Sequence, residues 1–265
     1  MKIVLCQTNI KWEDKKVNIA RAEKYIADMA QEETELILFP EMSFTGFSMN
    51  TEETKESDYR TVNRMKEYAS QYGIAIGFGW VKDCIEKSEN HYTIVDNTGK
   101  MISDYSKIHP FSYSGEDKKF RGGEDIVTFQ LNGISFSTFI CYDLRFPEVF
   151  QTASKTANVI LMPANWPASR REHWKCLLQA RAIENQVYIF AINCVGTVGN
   201  MYYSGDSCVI NPDGKVIMEL SAQEGIIKYE LLDDVETFRN AFQVKNDRRE
   251  DLYEKYVRLG KMNGE

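Results

Sequence analysis

The hydrophobic and polar positions of this chain alternate between two rhythms. Mostly apolar stretches at residues 2–7, 36–39, 158–162 and 187–194 read as strands, those at 36–39 and 158–162 as strands buried on both faces. Residues 14–31 instead carry Val17, Ile19, Ala20, Ala22, Tyr25, Ile26, Met29 and Ala30 at broadly helical spacing. Residues 60–72 and 170–185 also read as helices, the first closed by Gly73. Residues 74–81 read as a strand containing small residues. Turn residues between apolar runs signal three hairpins. The first joins 91–96 to 101–105 across Asn97-Thr98-Gly99-Lys100, and the second joins 126–131 to 134–140 across Asn132-Gly133. The third joins 206–211 to 215–220 across Pro212-Asp213-Gly214. Pro147 can open a helix reaching to about residue 155. Residues 226–231 and 233–241 predict a late strand and a short helix. This mixture of βα units and antiparallel hairpins predicts one large mixed sheet, or two packed together, with helices outside. No repeat or Pro/Gly/Ser-rich linker interrupts residues 1–265, which read as a single domain. The charged tail 244–265 has Tyr253 and Tyr256 as anchors for docking on its own subunit or on a partner.

Composition removes several function classes. The 265 residues carry 32 Lys and Arg against 39 Asp and Glu, a formal net charge of −7 with a pI near 5.2. That balance gives no electrostatic reason to expect a nucleic-acid partner. No apolar run approaches the ~20 residues that span a bilayer, so no membrane partner is expected. The N-terminal apolar stretch is short and followed by charge, which reads as a first strand and not as a signal peptide. Six cysteines at 6, 84, 141, 176, 194 and 208 include no CxxC pair. A chain this long needs no metal or disulfide staple, and reduced thiols in the cytoplasm are the expectation.

The chemistry lies where apolar runs end. Cys141 follows the run 136–140 and is followed at once by Tyr142, Asp143, Arg145 and Glu148. A free cysteine is commonly a small buried hydrophobe. Here a polar turn and a helix start beside it favour a thiolate nucleophile. Glu41 follows Leu36-Ile37-Leu38-Phe39-Pro40 and precedes Met42, Phe44 and Phe47. A carboxylate between apolar segments is partly desolvated, which suits a base working at neutral pH. Lys107, in Tyr105-Ser106-Lys107-Ile108-His109-Pro110, reads from its own segment as a solvated strand end. Beside a thiol and a carboxylate it would stabilise an oxyanion. His91, His109 and His173 leave a Cys–His arrangement open, with His109 the best placed. Gly77-Phe78-Gly79 lacks the third glycine of a dinucleotide loop.

Taken together, FPEMSFTGF, YSKIHPF with the following SGED, ICYDLRFPE and the stretch 164–214 resemble the nitrilase superfamily, the carbon–nitrogen hydrolases, over nearly the whole chain. NWPASRREHWKCLLQARAIENQVY and YSGDSCVINPDG are most similar to its ω-amidase branch, which hydrolyses the terminal amide of 2-oxo acids such as 2-oxoglutaramate. The resemblance implies an α/β fold, a four-layer α-β-β-α sandwich of two mixed sheets with outer helices. It implies a homodimer paired through the helical face after the nucleophile. It carries the triad onto Glu41, Lys107 and Cys141, and a second glutamate onto Glu116, with Asp117 adjacent. In Asn193-Cys194-Val195-Gly196 a cysteine stands where relatives often have arginine, so the substrate here can differ from theirs.

On this reading Glu41 takes the proton from Cys141 as sulfur attacks the amide carbon, and Lys107 with the backbone N–H of Tyr142 holds the oxyanion. A thioester forms, ammonia leaves, and Glu41 activates water. Glu116 orients the substrate amide or holds Lys107. Neither metal nor organic cofactor is required. A 2-oxo dicarboxylic acid amide carries a carboxylate, for which Arg145, Arg170 and Arg171 are the candidate cations. Trp166, Phe111 and Tyr113 are candidates for the apolar wall. Three rival readings remain: an amidase for another small amide, such as deaminated glutathione or an N-carbamoyl compound, a non-catalytic binding protein on the same fold, and a Cys–His hydrolase.

Overall fold

The computed structural model describes residues 1–232 and 234–255. Its strands run in chain order as β1 (Lys2–Gln7), β2 (Leu36–Leu38), β3 (Lys55–Glu56), β4 (Ala75–Lys82), β5 (Glu89–Val95), β6 (Met101–Ser106), β7 (Thr128–Leu131), β8 (Ile134–Thr138), β9 (Val159–Ala164), β10 (Tyr188–Asn193), β11 (Val195–Val198), β12 (Met201–Ile210), β13 (Val216–Ser221) and β14 (Gly225–Glu230). Helices are α1 (Lys15–Ala30), α2 (Thr51–Thr54), α3 (Arg60–Tyr72), α4 (Glu116–Lys119), α5 (Pro147–Ala153), α6 (Arg171–Asn185) and α7 (Val235–Ala241). One sheet has the order β14-β1-β2-β4-β5-β6 with β3 beside β4, and the other β11-β12-β10-β9-β8-β7 with β13 beside β12. Both mix parallel and antiparallel pairs. β1 is parallel to β2 and antiparallel to β14, while β9 is parallel to both β8 and β10.

The period-two geometry of strands sorts β1 and β2 between two cores. Ile3, Leu5, Leu36 and Leu38 face the space between the sheets and join Phe136, Ile160 and Phe190 of the other sheet. Val4, Cys6 and Ile37 face outward and meet Ala22 and Ile26 of α1 and Val62 and Met65 of α3. On the far side α5 and α6 pack Phe150, Trp174 and Leu178 into the core. The result is the four-layer α-β-β-α sandwich that the resemblance implied. The Asp14 side chain caps α1 by accepting from Val17 N–H, Gly73 ends α3 at φ +67°, and Pro147 opens α5.

Several boundaries differ from the expectations. The run 187–194 is one strand, β10, which ends at Asn193; β11 follows Cys194, and β12 begins at Met201, five residues before the predicted start at 206. The helix opened by Pro147 stops at Ala153, with Ser154 as its C-cap. β3, α2, α4 and the hairpin of β11 with β12 were not predicted. The late helix starts at Val235; residue 233 and Tyr256 lie outside the described residues. Within the tail, Lys245 donates to Ser154 O, Arg248 donates to Glu184 O at 2.6 Å, and Lys155 pairs with Glu250 at 2.7 Å. This stretch therefore docks on its own chain, with cations at the C-terminal ends of α5 and α6 where helix carbonyls lack partners.

Gly79 has a fold-level reason that its sequence alone did not give. A Cβ there would lie 2.3 Å from Met42 N and 2.9 Å from the Glu41 carbonyl carbon. The loop carrying Glu41 crosses directly over β4, tied by Ser43 N–H to Gly79 O (3.1 Å) and by Gly79 N–H to Ser43 Oγ (2.8 Å). The obstacle is backbone and cannot rotate away. Gly79→Ala is expected to lower stability by about 2 kcal/mol or more and to reduce turnover in the protein that still folds. Chemical denaturation together with an activity assay checks both.

Candidate active site

Cys141 opens a 3₁₀ turn, Cys141–Arg145, directly after β8 and the extended Phe139 and Ile140. Its φ is +48°, a left-handed conformation costly for a non-glycine residue. Asp143, fully buried, anchors this turn. Its carboxylate accepts from Ile140 N–H (3.0 Å), Tyr105 Oη (2.7 Å), His109 N–H (3.0 Å) and the His109 ring (Nδ1, 2.7 Å). His109 also stacks on Phe146 at 3.7 Å between centroids. The histidine best placed by sequence is thus turned to Asp143, and His91 lies between Glu89 and Asp104. His173 Nδ1 lies 3.3 Å from Arg145 Nη2, and Arg145 spans the rings of Tyr142 and Trp166.

Three further chain segments bring charge beneath the thiol. Glu41, from the loop after β2, is completely buried. Lys107, at the end of β6, is 1% exposed and places Nζ 3.0 Å from Glu41 Oε1 and 2.9 Å from Glu116 Oε2. Glu116, the first residue of α4, also accepts from Phe111 N–H at 2.5 Å and so pins the loop above it. Asp117 is exposed, so Glu116 is the glutamate that points in. Asn165, just after β9, connects Glu41 and Cys141: its N–H donates to Glu41 Oε2 at 2.8 Å, and its carbonyl oxygen lies 3.8 Å from Cys141 Sγ.

Burial alone would push the Lys107 ammonium down. The Glu116 and Glu41 carboxylates outweigh it and hold Lys107 above the ordinary lysine range, fully charged. Burial pushes Glu116 up, Lys107 opposes that rise, and Glu41 adds to it. Cys141 is pushed well above the ordinary thiol range by burial and by Glu41, with Lys107 pulling the other way. Desolvation thus opposes the thiolate that the polar turn and helix start were expected to favour.

Cys141 opens into a cavity of about 950 Å³. Arg145, Trp166, Phe111, Tyr113 and Arg170 all line it, as does Tyr142. Tyr113 stands at the mouth, 84% exposed. Arg171 does not line it; its Nε and Nη2 donate to Asp206 at 2.8 and 2.7 Å, and Nη2 also reaches Ser221 Oγ at 3.5 Å. Cys194 is buried behind the wall and donates to Asn165 Oδ1 at 3.0 Å, so no cation stands at that position. The backbone N–H of Tyr142 is near the start of the turn, where a helix leaves N–H groups without internal acceptors. Sequence reasoning missed Asn90, Asn165, Phe47 and Trp12 and the wall built by Thr197, Val198, Gly199 and Tyr203. Asn165 stood in the quoted NWP segment, Phe47 in FPEMSFTGF and the wall residues in the stretch 164–214, but nothing local marked Asn90 or Trp12. Among the described residues no group of three or more His, Cys, Asp or Glu is arranged to hold a metal, and no helix is long and apolar enough to cross a membrane.

The family model described as Carbon-nitrogen hydrolase matches residues 2–240. The chain belongs to the carbon–nitrogen hydrolase family. It is 35% identical over 243 residues to the 2-oxoglutaramate amidase of Bacillus subtilis (strain 168), covering 89% of this chain and 93% of that one. It is 33% identical over 225 residues to the omega-amidase YafV of Escherichia coli (strain K12), covering 84% and 86%. Among solved structures, XC1258 from Xanthomonas campestris, a CN-hydrolase superfamily protein with an arsenic adduct in the active site, superposes with a TM-score of 0.88. That pair is 28% identical, with 94% of this chain and 97% of the other covered. The resemblance read from FPEMSFTGF and ICYDLRFPE is therefore a family membership, and the two-sheet sandwich is the family's fold.

Proposed function

We propose that this hydrolase is an ω-amidase. It cleaves the terminal amide of small 2-oxo dicarboxylic acid amides, such as 2-oxoglutaramate and 2-oxosuccinamate, to the acid and ammonia. The observation that carries the reading is one cavity with a thiol at its floor and two unpaired arginines in its wall. Among the described residues no carboxylate forms an ion pair with Arg145 or Arg170, and the pocket lining contains no acid. Burial and the nearby Arg170 both lower Arg145 from its ordinary range. Two cations left facing each other in this way suit a bound carboxylate. The names of the Bacillus and Escherichia relatives agree with that substrate class.

The chemistry runs through a thioester. Glu41 takes the proton of the Cys141 thiol as sulfur bonds to the amide carbon, and Lys107 and the Tyr142 N–H hold the resulting oxyanion. Protonated Glu41 passes its proton to the departing nitrogen, the C–N bond breaks, and ammonia leaves. Glu41 then removes a proton from water, which attacks the thioester. The acid departs and the thiol recovers its proton. Glu116 holds Lys107 in place throughout. Each of these groups comes from the chain itself.

Ammonia release from 2-oxoglutaramate, 2-oxosuccinamate, glutamine, deaminated glutathione and an N-carbamoyl amino acid, run with wild type and Cys141→Ala, tests the reading. Fast release from the 2-oxo amides, lost in the variant, supports it. A cavity of about 950 Å³ lies at the roomy end for small-ligand sites and favours one second reading, an amidase for a longer linear amide. Deaminated glutathione as the only good substrate would establish that alternative. No release from any of them, and no covalent adduct on Cys141, would leave a binding protein. Within the ω-amidase reading, Arg145→Ala is expected to raise KM for 2-oxoglutaramate about 10- to 100-fold, as for a lost charge-assisted contact, while KM for a neutral amide changes little. Equal effects on both substrates would remove Arg145 from carboxylate recognition.

The same reading places the protein in the cytoplasm as a homodimer. Six cysteines, all free, suit a reducing compartment. Exposed Ile183 of α6 and Val216 and Met218 of β13 supply apolar surface on the face implied by the resemblance. Light scattering in solution tests the pairing, and a monomer at micromolar concentration would reject it.

A further inference from the structure

Asn90, on β5 and 1% exposed, touches all three buried charged residues beneath the cavity. Its Nδ2 donates to Glu41 Oε1 at 2.8 Å and to Glu116 Oε1 at 3.2 Å. Those same two oxygens accept from Lys107 Nζ, at 3.0 and 3.1 Å. Its backbone carbonyl accepts the Lys107 N–H at 2.9 Å, so one residue fixes the lysine through the main chain and both glutamates through the side chain. Its own Oδ1 is buried without a partner. A buried acceptor left unpaired is unfavourable, and such groups in a native structure call for a reason. The reason here lies in the other end of the amide. Turning it over would set Oδ1 against two carboxylate oxygens and remove both N–H donors from them.

We propose that Asn90 is the positioning residue that holds Glu41 in place as the base for Cys141, by giving one amide hydrogen to each of the two buried carboxylates. The inference rests on the thiol-hydrolase reading above. One ammonium faces two carboxylates, so the group of three carries a net negative charge when all are ionised. Such a group relieves itself by taking up a proton. A proton resting on Glu41 would leave no base for the thiol. Hydrogen bonds to the charged form of a carboxylate favour that form, and Asn90 supplies them without adding charge. The other ionisable groups around Glu41 are Lys107 at the end of β6, Glu116 of α4, Cys141 of the 3₁₀ turn, Cys194 between β10 and β11 and Tyr203 of β12. Lys107 is the sole cation among them, so Asn90 is the second donor that both carboxylates share.

Alkylation by iodoacetamide reads this without reference to any substrate: sulfur displaces iodide, and the thiol proton passes to the base. The rate at Cys141 is followed by peptide mass from pH 5 to 9, apart from labelling of the exposed Cys176, in wild type, Glu41→Gln, Asn90→Ala and Asn90→Asp. Wild type is expected to show an acid limb that Glu41→Gln abolishes. Asn90→Ala is expected to move that limb up by roughly one pH unit and to slow alkylation at pH 7 about tenfold. Asn90→Asp, which keeps the side chain's shape and is read alone if the alanine variant does not fold, is expected to move it at least as far. The position of the limb does not depend on the amount of folded protein. A limb unmoved in both Asn90 variants but lost in Glu41→Gln overturns the role of Asn90 and leaves the base assignment standing. A wild-type profile identical to that of Glu41→Gln overturns the base assignment and this inference with it.

Discussion

Glu41→Gln is expected to reduce kcat by about 10³-fold or more, the order reached when a general base is lost, while His109→Ala stays within about tenfold of wild type. The two variants separate the competing ways to activate the thiol. Glutamine keeps the shape of Glu41 but cannot take a proton. Burial and Glu41 push the Cys141 thiol up, so attack calls for a base within reach, and Glu41 is joined to Cys141 through Asn165. The His109 ring is engaged elsewhere, bonded to Asp143 and stacked on Phe146. Its loss loosens the turn that holds Cys141 at positive φ, which accounts for a modest decrease. Ammonia release from the preferred amide measures both. A dead His109→Ala beside an active Glu41→Gln would return the site to a Cys–His pair.

Local patterns revealed the elements of this fold better than its cavity. Asn132-Gly133, Gly73 and Pro147 act within a few residues of themselves, and each marks a real turn, cap or helix start. The hairpin of β11 with β12 escaped because Val195–Val198 is short and Met201 and Tyr202 face solvent, which breaks the apolar run. That hairpin supplies one wall of the site, so the wall escaped with it. Glu41 and Cys141 stand out singly because each follows an apolar run, whereas Lys107, a solvated strand end by its own segment, stands out only beside them and through the resemblance. Their neighbours depend on which strands lie side by side. Asn90 reaches Glu41 because β5 is next to β4, under the loop that Gly79 admits. No periodicity in residues 89–95 states that. Arg170 and Arg171 are adjacent in sequence, yet one lines the cavity and the other is held by Asp206 on β12. Only the packing of α6 against that strand separates them.

Lys107→Met is the second large expected effect, and it combines catalysis with pH-dependent stability. Methionine keeps the length of the side chain and removes its charge. Losing an oxyanion donor costs about 10²–10³ in kcat, and the loss here goes further because Glu41 and Glu116 then face each other with only Asn90 between them. One of the two must take up a proton, and a protonated Glu41 is no base. The same protonation fixes the sign of the stability change. Burial already raises Glu116 above its ordinary value, and Lys107 opposes that rise, so removing Lys107 raises the carboxylate pair further. A carboxyl group whose folded-state pKa lies above its unfolded value of about 4.3 binds more protons in the native state. Its contribution to stability is complete below that unfolded value and is lost as pH rises through the folded value. The variant is therefore expected to be most damaged at pH 8, by several kcal/mol as when one member of a buried ionic group is removed, and to approach wild type as the pH falls toward 5. Unfolding midpoints of both proteins across that range measure it. A stability gap that stays constant with pH would mean that the lysine does not set the charge of the two glutamates.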